Sequence, residues 1–85
     1  MTGELSVRVM VQDVWDEVRM SVPASATTGE LKRRALEVTR VMRNPDGYVV
    51  KFRGGEVRDE TTLADAGVVP DANLIVLPRR RRPVR

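Results

Sequence analysis

The chain has no cysteine and no histidine among its 85 residues. Without thiols it can form neither a disulfide nor a thiolate metal site. Without imidazole it lacks the commonest general base, the commonest metal ligand and the usual switch near neutral pH. The remaining nucleophiles are Ser, Thr, Lys, Tyr and carboxylates, and no base–nucleophile pairing stands out among them. A catalytic role is therefore not expected, and no cofactor is implied. Long apolar runs are also missing, so no segment is long enough to span a bilayer. The opening MTGELSVRV has neither the basic nor the apolar region of a signal peptide, which makes the cytoplasm the expected compartment. A chain of this length forms one domain with a modest core.

What the chain does have is charge, unevenly placed. The formal net charge is +3. Arg79, Arg80, Arg81, Arg82 and Arg85 supply five of the 15 basic residues, so residues 1–78 hold 10 against 12 acidic ones, a net of −2. The body is slightly acidic and the basic pI belongs to the end. A domain at 1–78 followed by a basic, disordered tail at 79–85 is the expected organisation.

Period-two alternation marks the strands. Leu5, Val7, Val9 and Val11 share one face of a first strand, and Ser6, Arg8, Met10 and Gln12 the other. After a polar break at Gln12-Asp13, Val18, Met20 and Val22 alternate again until Pro23, and the two strands should pair as a hairpin. Thr27 and Glu30 have capping-box spacing, with Thr28 as the competing cap. Leu31, Ala35, Val38 and Met42 then form one apolar stripe of a helix, leaving Lys32, Arg33, Glu37 and Arg40 off it. Asn44-Pro-Asp-Gly should end that helix. Tyr48, Val50 and Phe52 alternate with Val49 and Lys51 in a third strand, Gly54-Gly55 turns the chain, and Glu56-Val57-Arg58 can pair back. Residues 59–67 suggest a turn or short helix, Pro70 to Asn73 a further turn, and Leu74 to Leu77 the last strand. One amphipathic helix against one sheet gives a two-layer α+β domain.

The block from Phe52-Arg-Gly-Gly to Thr62-Leu63, Asp65 and Val68, followed by Leu74-Ile-Val-Leu, resembles ubiquitin-like proteins. These share an aromatic-x-Gly turn, a Thr-Leu-x-Asp step and an aliphatic residue three positions on. Val22 to Leu31, with Thr27 as the helix cap, is similar as well. The resemblance covers most of the chain. It implies the ubiquitin-like β-grasp fold, with a mixed sheet of four to five strands packed on one helix. It also implies that the diglycine of conjugated relatives falls on Arg82 and Pro83. Proline's fixed φ and ring do not suit a tail that must thread narrow enzyme channels. In scale and layout the chain is also similar to the small bacterial YukD family of type VII (WXG100) secretion systems, whose roles are accessory and non-catalytic.

The family's main binding surface lies on the outer sheet face. Its matching positions here are Lys51, in place of the central aliphatic, with Ile75 and Leu77. That points to a protein partner, although receptors for ubiquitin itself should not tolerate a buried unpaired lysine. Ile75 and Leu77 are either ordinary surface residues or part of a partner site. Trp15 faces outward by the period-two count and could anchor a partner, but the more favoured expectation is that it folds over the sheet edge. Asp13, Asp16 and Glu17 read as solvated charges, and Lys32, Arg33, Arg34, Arg40 and Arg43 as a basic helix rim with Glu30–Arg34 as a surface pair. The five tail arginines could hold an anionic partner, a nucleic acid or a membrane surface. They lack aromatics for base stacking. Three functions follow: non-catalytic protein–protein contact, a modifier of a divergent bacterial conjugation pathway with a processed or non-glycine end, and anion binding by the tail.

Overall fold

The computed structural model describes residues 4–41 and 43–79. Strand β1 (Glu4–Val11) turns into β2 (Asp16–Pro23), and helix α1 (Thr28–Val38) follows. A single 3₁₀ turn at Pro45–Gly47 leads to β3 (Tyr48–Phe52), β4 (Gly55–Val57) and β5 (Asn73–Pro78). The five strands lie in the order β2-β1-β5-β3-β4. The last strand runs parallel to β1 and antiparallel to β3, so it closes the centre of the sheet. A mixed five-stranded sheet with one helix across one face is the β-grasp arrangement that the resemblance implies.

Alternation does what the sequence suggests. Val7, Val9, Val11, Met20, Val22, Val50, Leu74 and Val76 all point into the core with Leu31, Ala35, Leu36 and Leu63. At the helix start Thr27 is the cap. Its Oγ1 accepts from Glu30 N at 3.2 Å, and its own N–H donates to Glu30 Oε1 at 3.0 Å. Thr28, the rival candidate, is fully buried instead, and its hydroxyl donates to Thr61 O at 2.9 Å.

The helix face differs from the expected stripe. Its buried side is Thr28, Leu31, Lys32, Ala35 and Leu36, while Val38 is 59% exposed; Met42 lies outside the described residues. The helix also stops at Val38, well before Asn44-Pro-Asp-Gly. Arg40 adopts φ +61, with Arg40 N–H donating to Glu37 O and Val41 N–H to Leu36 O. This is a Schellman close in which an arginine takes the left-handed place that glycine usually fills. Asn44 to Gly47 instead forms the separate 3₁₀ turn, and the Asn44 side chain accepts from Asp46 N–H. Beyond β3 the turn centres on Arg53 and Gly54, both at positive φ, one residue earlier than the Gly54-Gly55 expected. Two left-handed residues there match the twist of a tight hairpin.

Lys32 is the largest correction. It belongs to the core and not to a basic rim, being 1% exposed. Its Nζ lies 2.9 Å from Asp59 Oδ2 and donates to Tyr48 O at 3.0 Å. Glu30 and Arg34 make no ion pair; among the described residues the pairs are Lys32–Asp59 and Arg58–Glu60. Breaking a buried pair strands the remaining charge, whereas removing the buried charge itself does not. Asp59→Ala should therefore cost about 2–3 kcal/mol and Lys32→Met about 1 kcal/mol in chemical denaturation. The reverse order would show that the lysine carries stability of its own.

Tyr48, the one tyrosine, ties the hairpin tip to β3 by donating its phenol proton to Asp13. Burial first, then the hydrogen bond to the Asp13 carboxylate and its charge, push the Tyr48 pKa up. The fold thus favours the neutral phenol. That contribution is intact below the unfolded pKa near 10 and fades as pH climbs through the raised folded value. Phenolate absorbance should appear at lower pH in Asp13→Asn than in the parent chain. Equal titrations would remove Asp13 as a cause.

Trp15 is not folded over the sheet edge. It is 75% exposed, in the loop between β1 and β2, with φ +51. A left-handed backbone costs an L-residue roughly 1–2 kcal/mol, against a glycine's extra unfolded-state entropy of about 0.5–1 kcal/mol. Trp15→Gly should therefore stabilise the chain by about 0.5 kcal/mol, a gain Trp15→Ala should not give. A lower melting midpoint for Trp15→Gly would mean that the indole packs usefully despite its exposure.

Candidate functional site

Because α1 covers only one face of the sheet, the side chains between the core positions all emerge on the other. Strand pairing sets them in rows. Arg19 stands opposite Arg8, which pairs in turn with Asn73. The next row runs Glu17, Met10, Ile75, Lys51, Glu56 across all five strands. A further row sets Leu77 opposite Val49.

The predicted Lys51 and Ile75 are thus direct neighbours on β3 and β5, and Leu77 follows on the same face. Lys51 is exposed, Ile75 is 43% exposed and Leu77 is half-buried. Trp15 sits beyond the strands on the hairpin tip beside Val14, which is 44% exposed, and is not part of the rows. Arg79 is exposed, and its N–H donates to Gly47 O at 2.7 Å just past the end of β5. Arg80, Arg81, Arg82 and Arg85 lie outside the described residues. Asp13 is drawn to Tyr48, while Asp16 and Glu17 begin β2 with exposed side chains.

Three members of the face were not singled out from sequence. Met10 and Arg8 are half-buried on β1 and Arg19 is exposed on β2. Alternation already placed Arg8 and Met10 outward. What it cannot supply is the parallel β1–β5 pairing that sets Met10 beside Ile75. Arg8, Arg19 and Lys51 take no part in the ion pairs among the described residues, and the Nε of Arg8 is buried without a hydrogen-bond partner. The result is an aliphatic centre, Met10, Ile75 and Leu77, with cations on two sides and a carboxylate at each end of the central row.

Two open grooves flank the helix instead. One, of about 410 Å³, lies between β2 and α1 over Val22, Ala26 and Leu31. The other, of about 480 Å³, is bordered by Thr27, Asn44 and Asp59. Neither contains a predicted site residue. No helix among the described residues is long and apolar enough to cross a membrane. The arrangement on the outer face is suited to contact, with an apolar centre for burial and charges for orientation.

No family model and no curated protein matches the chain. Solved structures do. A designed protein based on ubiquitin superposes with a TM-score of 0.81 at 23% identity, over 98% of each chain. A ubiquitin of Caldiarchaeum subterraneum gives 0.79 at 17%, over 95% of this chain and all of the other. The solution structure of an N-terminal ubiquitin-like domain gives 0.77 at 18%, over all of this chain and 84% of the other. With its helix, mixed five-stranded sheet and central parallel pair, the chain has the ubiquitin-like β-grasp fold.

Proposed function

We propose that this chain acts by non-covalent protein–protein contact through its outer sheet face, as a small accessory factor of the YukD kind. The observation that carries the proposal is Ile75, left exposed at the middle of the sheet between Met10 and Lys51. A central strand is where a fold most easily hides an aliphatic side chain. Leaving one in water beside Leu77 gives the surface an anchor of the sort that partner contacts bury. Contact in place of conjugation is supported by Arg82 and Pro83, which occupy the positions where attached relatives carry two glycines. Lys51 at the patch centre makes ubiquitin's own receptors poor partners, so the partner is one matched to this chain.

A photo-crosslinking residue at Ile75, introduced in cells that naturally make the protein, should trap one discrete partner. The same residue at Val38, exposed on the helix, should not. Ile75→Glu should abolish trapping from position 77 while changing stability by about 1 kcal/mol or less. Trapping from position 38 alone, or trapping from 77 that survives Ile75→Glu, would refute the outer face as the contact surface.

A further inference from the structure

Resting on that outer-face reading, we infer that the partner presents an acidic segment, with an aliphatic side chain over Ile75 and Met10 and carboxylates over Arg8, Arg19 and Lys51.

The reasoning starts from a pairing that does not favour the isolated chain. Arg8 and Arg19 stand directly opposite each other on neighbouring antiparallel strands. Like charges at such positions repel, and an acidic residue at either one would have stabilised the hairpin. Arg8 is also half-buried, with its Nε shut away from water and unpaired. A buried donor left without an acceptor is costly. A carboxylate arriving from outside answers the repulsion, because guanidinium groups bind carboxylates through parallel hydrogen bonds and the added negative charge lies between two positive ones.

Across Ile75 from this pair stands Lys51, also outside any ion pair among the described residues. Cations therefore bracket the aliphatic centre from both sides. Of the chain's own carboxylates on this face, Glu17 and Glu56 stand at the two ends of the central row and Glu4 lies at the far end of β1, accepting from the Ser21 hydroxyl. None of them forms an ion pair with Arg8, Arg19 or Lys51 among the described residues. A complementary ligand then needs negative charge on each side of an apolar residue, at strand spacing. A phosphate backbone would match the cations but not the centre. Met10, Ile75, Leu77 and Val49 offer no aromatic plane on which a base could stack.

The test uses a displayed random twelve-residue peptide library, panned on the intact chain, with a poly(U) oligonucleotide as a parallel probe. Enriched peptides should carry Asp or Glu on both sides of an aliphatic residue, and their binding should weaken with added salt. Arg8→Glu/Arg19→Glu should reduce that binding by about tenfold or more, and the neutral pair Arg8→Gln/Arg19→Gln by less. Both variants should stay folded, the Gln pair melting no lower than the parent chain because the repulsion between the two cations is gone. Amide shifts on titration of the parent chain should centre on Arg8, Met10, Lys51 and Ile75. Loss of binding with Ile75→Glu but not with Arg8→Glu/Arg19→Glu leaves the outer face standing and overturns the acidic partner. Insensitivity to both substitutions overturns the two together. Enrichment of neutral or basic peptides, enrichment of nothing, acidic peptides lost only when Arg79 to Arg82 become Glu, or preferential retention of poly(U) would each overturn the inference.

Discussion

One ammonium group joins three distant parts of the chain. Lys32 reaches from the buried side of α1 to Tyr48 O at the start of β3 and to the Asp59 carboxylate beyond β4. Around it the helix start is fastened to the same segment. Thr28 N–H donates to Thr61 O, Gly29 N–H to Asp59 O, and the Thr28 hydroxyl to Thr61 O. The approach is close at Gly29, where a Cβ would lie 3.1 Å from the Asp59 Cβ and 3.2 Å from its carbonyl oxygen, so a larger residue would have to push the Asp59 segment back by a few tenths of an ångström. Together with the Thr27–Glu30 capping box, these contacts satisfy first-turn N–H groups that a helix cannot bond internally. A buried lysine is tolerable because both acceptors are in reach and because Asp59 stays partly in water.

That clamp fixes which sheet face is covered. With α1 held across one side, Val7, Val9, Val11, Leu74 and Val76 have a core to enter, and their alternating neighbours have none. The parallel placement of β5 between β1 and β3 then decides what the open side looks like. It brings Ile75 between Met10 and Lys51, residues from strands that are far apart in sequence. The candidate surface is thus a consequence of the same packing that builds the core. A helix fastened at its first turn makes one face; a late central strand supplies the other.

Much of this was legible in the sequence, for a definite reason. Strand periodicity is local, so the facing of Leu5 to Val11, Val18 to Val22 and Leu74 to Leu77 could be counted directly, and with it the outward Ile75 and Leu77. The capping box is equally local. What escaped depends on partners or conformations that residue type does not announce. Lys32 is an ordinary exposed residue until Asp59 is known to face it. Arg40 and Arg53 take left-handed backbone conformations that pattern reading assigns to glycine, so the helix end and the β3–β4 turn both fell later in expectation than in the structure. Met10 and Arg8 were on the right face but in no site, because a parallel pairing between the first and last strands leaves no spacing to count.

The places where this chain forgoes stability have a common direction. Trp15 holds a bulky side chain in a left-handed turn and leaves it in water. Arg8 and Arg19 set two cations opposite each other, one with a shielded, unpaired nitrogen. Ile75 stays exposed on a central strand. None of these three lies on the helix-covered side, where the buried charge is paired; the left-handed backbone of Arg40 at the end of α1 is held instead by the helix close. Strain and repulsion survive in a fold only when something else constrains the residues that cause them. On the inner side that constraint is the core. On the hairpin tip it is in part the hydrogen bond from Tyr48 to Asp13, and on the outer rows it would be the proposed partner. In the reading proposed above, carboxylates of that partner offset the repulsion between Arg8 and Arg19.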